Sequence, residues 1–153
     1  RWSHRKGASP EVIPNVHPGR NAPGYPRSVD GQAGYHMADT ACPISAETWD
    51  AVKLSASTAV QATAHVLAGE PSVYALCRPP GHHAFADMAG GFCYVNNSGV
   101  AAQALRAVHD RVAILDVDLH HGNGTQGMFY HRPDVMTVSL HFDPARFLPL
   151  IPT

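Results

Sequence analysis

Apolar residues fall into short patterned segments divided by loops rich in glycine and proline. From Ala46 to Leu67, residues Trp49, Val52, Ala56, Ala59, Val60, Ala64 and Leu67 recur at steps of three and four, the spacing of one helix face, and Gly69 supplies a stop. Val73-Tyr-Ala-Leu-Cys77 is an unbroken run that reads as a short buried strand. Asn96 or Asn97 is placed to cap a second helix, with Val100, Ala101, Ala104, Leu105 and Val108 along it. Residues 111–118 form the next strand, around Val112-Ala-Ile-Leu115. A short helix from Thr125 to Tyr130 leads to a third strand, Val135 to His141. From residue 46 the expected order is a helix, then β-loop-α-β-loop-α-β. Such alternation predicts an α/β fold, a parallel sheet with flanking helices, whose ligand edge is the C-terminal end of the strands. Residues 1–45, with Pro10, Pro14, Pro18, Pro23 and Pro26 among several glycines, read as an irregular, loop-rich arm.

Composition narrows the class. A chain of 153 residues suits one domain, and 44% hydrophobic with 15% charged residues gives material for a core rather than a disordered chain. A net charge of -1 gives no general pull toward nucleic acid or membrane. No apolar run reaches the roughly 18 residues that span a bilayer, and no signal peptide is visible. Cys42, Cys77 and Cys93 are odd in number and form no CxxC pair, which argues against a disulfide framework and a thiolate zinc site and for a reducing, cytoplasmic setting. The chain starts at Arg1 rather than Met and stops just after a predicted strand, so it is expected to be part of a longer domain.

Eleven histidines are many for this length, and several cluster. The strand at 111–118 runs into Asp116-Val-Asp-Leu-His-His-Gly-Asn-Gly-Thr125. In extended backbone Asp116, Asp118 and His120 share a face. Asp118 by itself reads as a turn or cap residue. Two carboxylates on one face repel unless a cation lies between them, so the set predicts a divalent metal of the zinc type. His82 and His83 stand in a loop stiffened by Pro79-Pro80, and imidazole is the group best suited to move protons near neutral pH. Metal donors and a histidine pair together predict metal-assisted hydrolysis. His121 points away from His120 in an extended chain and reads as structural.

Four stretches in this order, Arg78-Pro-Pro-Gly-His-His-Ala84, Gly90-Gly-Phe-Cys-Tyr-Val-Asn-Asn97, Asp116 to Thr125 and Val138-Ser-Leu-His141, resemble the zinc-dependent histone deacetylase superfamily. Asn123 and the Pro-Pro form of the histidine loop resemble class II deacetylases and bacterial acetylpolyamine amidohydrolases. Gly34-Tyr-His-Met-Ala-Asp-Thr-Ala-Cys-Pro-Ile44 with Thr48-Trp49 leans toward the polyamine branch. The resemblance implies an arginase/deacetylase-like fold, here incomplete. It makes Asp118 and His120 zinc ligands, and His82 and His83 the catalytic tandem, with His83 as general base. Asp116 would buttress His82, and Asn123 would hold His83. Gly91, Phe92 and Cys93 would meet the substrate: Phe92 as tunnel wall, Cys93 near the acetyl group, the Gly91 carbonyl toward the amide. A potassium ion is also implied, with contacts on Asp116 and Ser139 and on the backbone oxygens of Asp118, His120 and Leu140.

A third zinc ligand and an oxyanion-stabilising tyrosine are implied beyond residue 153, and Phe147 is the aromatic nearest to the place of a second tunnel wall. The expected activity is hydrolysis of N-acetyl groups from acetylated amines, acetylpolyamines ahead of acetyl-lysine peptides. Direct nucleic-acid or membrane contact is not expected, and homo-oligomerisation of the intact protein stays open. The alternative is a catalytically incomplete piece that binds metal weakly or not at all and has no activity of its own.

Overall fold

The computed structural model describes residues 36–37 and 41–143. Most of the expected arm, and Phe147, lie outside the described residues. Within that arm, β1 (His36–Met37) and β2 (Pro43–Ile44) pair antiparallel, with His36 opposite Ile44. Helix α1 (Thr48–Leu67) starts two residues later than its periodicity predicts. It ends as its glycine forecast: Gly69 takes φ +105°. Its N–H donates to Val66 O at 3.0 Å, and the Glu70 N–H donates to His65 O at 3.1 Å. That is a Schellman stop, which relies on a residue free to adopt a left-handed backbone.

Helix α2 (Asn97–Arg106) is capped by Asn96, whose side chain accepts from the Gly99 N–H at 2.8 Å. Strand β3 (Val112–Asp116), helix α3 (Asn123–Phe129) and strand β4 (Val135–Ser139) follow. β3 and β4 pair in parallel, Val112 opposite Val135 and Asp116 opposite Ser139. Both strands are two residues shorter at the C-terminal end than their apolar pattern predicts.

Two cores hold these elements. Val52 and Ala56 of α1 pack with Cys42, Ile44, Tyr94, Val95 and Val100. Ala102, two residues beyond Val100 and on the opposite side of α2, packs with Phe129 and Val135. Helix α2 therefore joins the two cores. The Tyr94 hydroxyl donates to the Pro43 carbonyl, which fixes the short β1–β2 pair onto the first core.

The expected strand at 73–77 does not form. Tyr74 is 86% exposed and Leu76 63%, and none of its residues joins a ladder. An apolar run becomes a strand only where another strand takes up its N–H and C=O groups. Here the Cys77 N–H turns back to Ala75 O at 3.0 Å. Among the described residues, Leu115, Met136 and Val138 are exposed on one face of the β3–β4 pair. Among the described residues, no helix is long and apolar enough to cross a membrane.

Candidate active site

The histidine loop turns tightly, with the Ala84 N–H donating to Gly81 O at 3.0 Å. His82 and His83 stack with ring centroids 4.0 Å apart. Each meets a partner more than thirty residues away. His82 Nδ1 lies 2.9 Å from Asp116 Oδ2, at the end of β3. His83 Nδ1 lies 2.7 Å from Asn123 Oδ1, at the start of α3. Asn123 Oδ1 also accepts the Gly124 N–H at 3.0 Å, which identifies that atom as the carbonyl oxygen. His83 Nδ1 is then the donor, and its Nε2 keeps a lone pair. A carboxylate likewise takes the Nδ1 proton of His82.

Asp118 and His120 come together by a different route from the one the strand pattern predicts. β3 stops at Asp116, so extended alternation cannot align them. Instead the backbone bends, and Asp118 Oδ1 accepts the His120 N–H at 2.8 Å while lying 3.2 Å from His120 Nδ1. His82 Nε2 is 3.9 Å from the same oxygen. The His120 N–H bond is the main cause that holds the Asp118 carboxyl below its ordinary range, and so ionised. Zinc bonds of roughly 2.0–2.2 Å at tetrahedral angles set neighbouring donors about 3.3 Å apart. The Asp118–His120 spacing fits one edge of such a site. Among the described residues, no group of three His, Cys, Asp or Glu side chains is placed to hold a metal ion. The two donors thus fit as a partial set.

Asp116 and Ser139 face each other across the parallel pair, and the Leu140 N–H donates to Asp116 O at 2.8 Å. Asp116 and Ser139, the two residues whose side chains are expected near potassium, therefore share one strand end. A cavity of about 40 Å³ adjoins Asp116, Thr125 and Ser139, room for one small ion or water. A larger concavity of about 440 Å³, among Phe129, Tyr130 and Arg132, contains no member of the histidine cluster.

The stretch Gly90–Cys93 closes on itself: the Gly90 N–H donates to Cys93 O at 3.0 Å and the Cys93 N–H to Gly90 O at 2.8 Å. Gly91 and Phe92 take φ +53° and +65°, the pattern of a type I′ turn. A side chain on Gly91 would collide with the His83 ring. Phe92 is 62% exposed and stands clear of the turn. Cys93 is fully buried, and its thiol donates to Gly91 O at 3.4 Å. Burial pushes that thiol up to about 11.

Some contacts were not foreseen from sequence. His121 stacks on His141 with centroids 4.6 Å apart, and His141 Nδ1 lies 2.9 Å from Ser139 Oγ. The Asn96 side chain reaches both Ala84 and Thr125. Two adjacent asparagines ahead of a helix are the available signal, and by themselves they predict only a cap.

The profile of the histone deacetylase domain family matches residues 11–152. The chain belongs to that family. Within it, acetylpolyamine amidohydrolase of Burkholderia pseudomallei is 57% identical over 125 residues, 82% of this chain and 37% of that protein. Acetylpolyamine amidohydrolase 1 of Pseudomonas aeruginosa is 48% identical over 149 residues, 94% of this chain and 42% of that protein. The crystal structure of the HDA15 HD domain superposes with a TM-score of 0.81 at 32% identity, covering 96% of this chain and 43% of that one. The likeness establishes the deacetylase-type α/β fold. The chain spans about two fifths of the length of the curated relatives it matches.

Proposed function

We propose that the chain belongs to a zinc-dependent amidohydrolase that removes acetyl groups from amines, with acetylated polyamines ahead of acetyl-lysine peptides as substrates. One observation carries the reading: two histidines, each oriented through Nδ1, stand beside the Asp118–His120 donor pair. The names of the two bacterial relatives support the polyamine class. On this reading residues 1–153 are part of one deacetylase domain. The three free thiols accord with a cytoplasmic protein.

A zinc ion held by Asp118, His120 and one further ligand would polarise the acetyl carbonyl and make a water acidic. The hydrogen bond from His83 Nδ1–H to the Asn123 carbonyl selects the tautomer of the neutral ring whose Nε2 lone pair is open to take the proton of the attacking water. His82, paired with Asp116, stabilises the charge that develops beside it and helps return a proton to the leaving amine. Phe92 forms the wall of an access channel, Gly91 offers its carbonyl to the substrate amide, and Cys93 packs behind the acetyl pocket. Asp116, Ser139 and the backbone of Leu140 would hold a potassium ion.

The test is metal analysis of the full-length protein together with an acetylated-amine panel that includes mono-acetylated diamines and an acetyl-lysine peptide. Asp118→Ala and His120→Ala should lose the metal. His83→Ala should keep it and lose about 10²–10⁴-fold in turnover. Unchanged turnover in His83→Ala, or a wild-type protein without metal, removes the reading.

A further inference from the structure

Imidazole orientation is set by Asp116 and Asn123, but orientation alone does not place a ring. Placement depends on the backbone that carries the histidines. Three carbonyls of that loop, those of Pro79, His82 and Ala84, are each tied by a side chain or backbone group from a helix start. Asn96 is fully buried. Its Oδ1 caps α2, while its Nδ2 donates to Ala84 O at 3.1 Å and to Thr125 Oγ1 at 2.9 Å. Thr125 is also buried. It passes the link on: its N–H donates to His82 O at 3.1 Å and its hydroxyl lies 3.4 Å from the same oxygen. Asn97, next along, donates through Nδ2 to Pro79 O at 3.0 Å and to Ser55 Oγ at 3.0 Å. Ser55 Oγ donates to Pro79 O at 2.8 Å. Between these ties Gly81 lies so close to the start of α2 that a Cβ there would collide with the Asn97 nitrogen and come within 2.8 Å of Val95 O.

We propose that Asn96, acting through Thr125 and Ala84, is a positioning residue for the His82–His83 pair. This rests on the acid–base reading of that pair given above. Asn96 touches neither ring. Directly it holds the Ala84 carbonyl, and through Thr125 it supports the hold on the His82 carbonyl, so the backbone is tied one residue before and one residue after His83. Displacing a catalytic group by about 1 Å costs on the order of 10²-fold in rate. The role separates from helix capping, because the cap uses Oδ1 and the tie uses Nδ2.

Asn96→Ser and Thr125→Val separate the two roles in the full-length protein. Serine keeps an oxygen for the cap and gives up the donor that reaches Ala84. Valine keeps the shape of threonine and gives up the hydroxyl. The expected result for each folded variant is a kcat loss of about tenfold or more with KM nearly unchanged. The double variant should fall little below the worse single, since both break the Asn96–Thr125 bond. Thr125→Ser should restore the rate. Hydrogen exchange of the Ala84 amide should quicken in both variants while the amides of α1 keep their protection. The outcome that overturns the proposal is normal kcat in folded Asn96→Ser and Thr125→Val alongside an inactive His83→Ala. Losses that track melting temperature and resist rescue by Thr125→Ser also overturn it. Full turnover in His83→Ala instead removes the acid–base reading itself.

Discussion

Cys93 shows how burial sets chemistry at one atom. Its thiol is pushed up to about 11 from an ordinary 9.0, chiefly because the ionised form is poorly solvated there. The folded chain therefore keeps a proton that the unfolded chain releases. Stability from this group is whole below about pH 9 and is lost as pH rises toward 11, on the order of 2 kcal/mol. Melting temperature should fall across that window, and the fall should be shallower in Cys93→Ala. An equal slope in both proteins would show that other groups govern the alkaline limb. Gly91 and Phe92 show backbone doing similar work: a left-handed turn lets the His83 ring lie against Gly91 and leaves a bulky residue projecting from it. A non-glycine residue such as Phe92 in that region is held there by its surroundings, here including an N–H bond from Phe92 to Ala41 O at 3.1 Å.

Between elements, charge does the joining. Asp134 receives Arg106 Nε and Arg132 Nη2, each at 2.6 Å, and so ties the end of α2 to the start of β4. Those guanidinium groups hold its carboxyl well below the usual carboxylate range. A depressed folded value means that the benefit is present above the unfolded value of 3.8 and fades as pH falls below it. Acid melts should show this sensitivity, and Asp134→Asn should lose much of it. The helices were legible in advance, because three- and four-residue spacing and the Asn96 and Gly69 caps are local signals. The 73–77 strand was misread, because pairing depends on a neighbour that no local pattern reveals. Among the site residues, the Asp116–His82 and Asn123–His83 contacts were anticipated from family motifs. The Asn96–Thr125 link was not, since it joins residues 29 apart through side chains that each look like ordinary caps.

At the scale of the molecule, the sheet exposes apolar side chains on one face among the described residues. Leu115 and Val138 sit opposite each other on the bare face, 64% and 38% exposed. Exposed apolar surface on a sheet face drives association. The 153-residue chain alone should sediment in a concentration-dependent way, and Leu115→Glu with Val138→Lys should return it toward monomer. Sedimentation as a monomer at all concentrations would show that this face is shielded. The chemical rim at the strand ends has a different dependence. His82 meets Asp116 across 34 residues and His83 meets Asn123 across 40. Each link closes a long loop, and docking of the intervening helix and strand offsets the entropy that closure costs. A peptide cut from positions 78–97 would carry both imidazoles and neither of their partners. Reactivity here therefore cannot be grafted as a short motif; it emerges with chain closure.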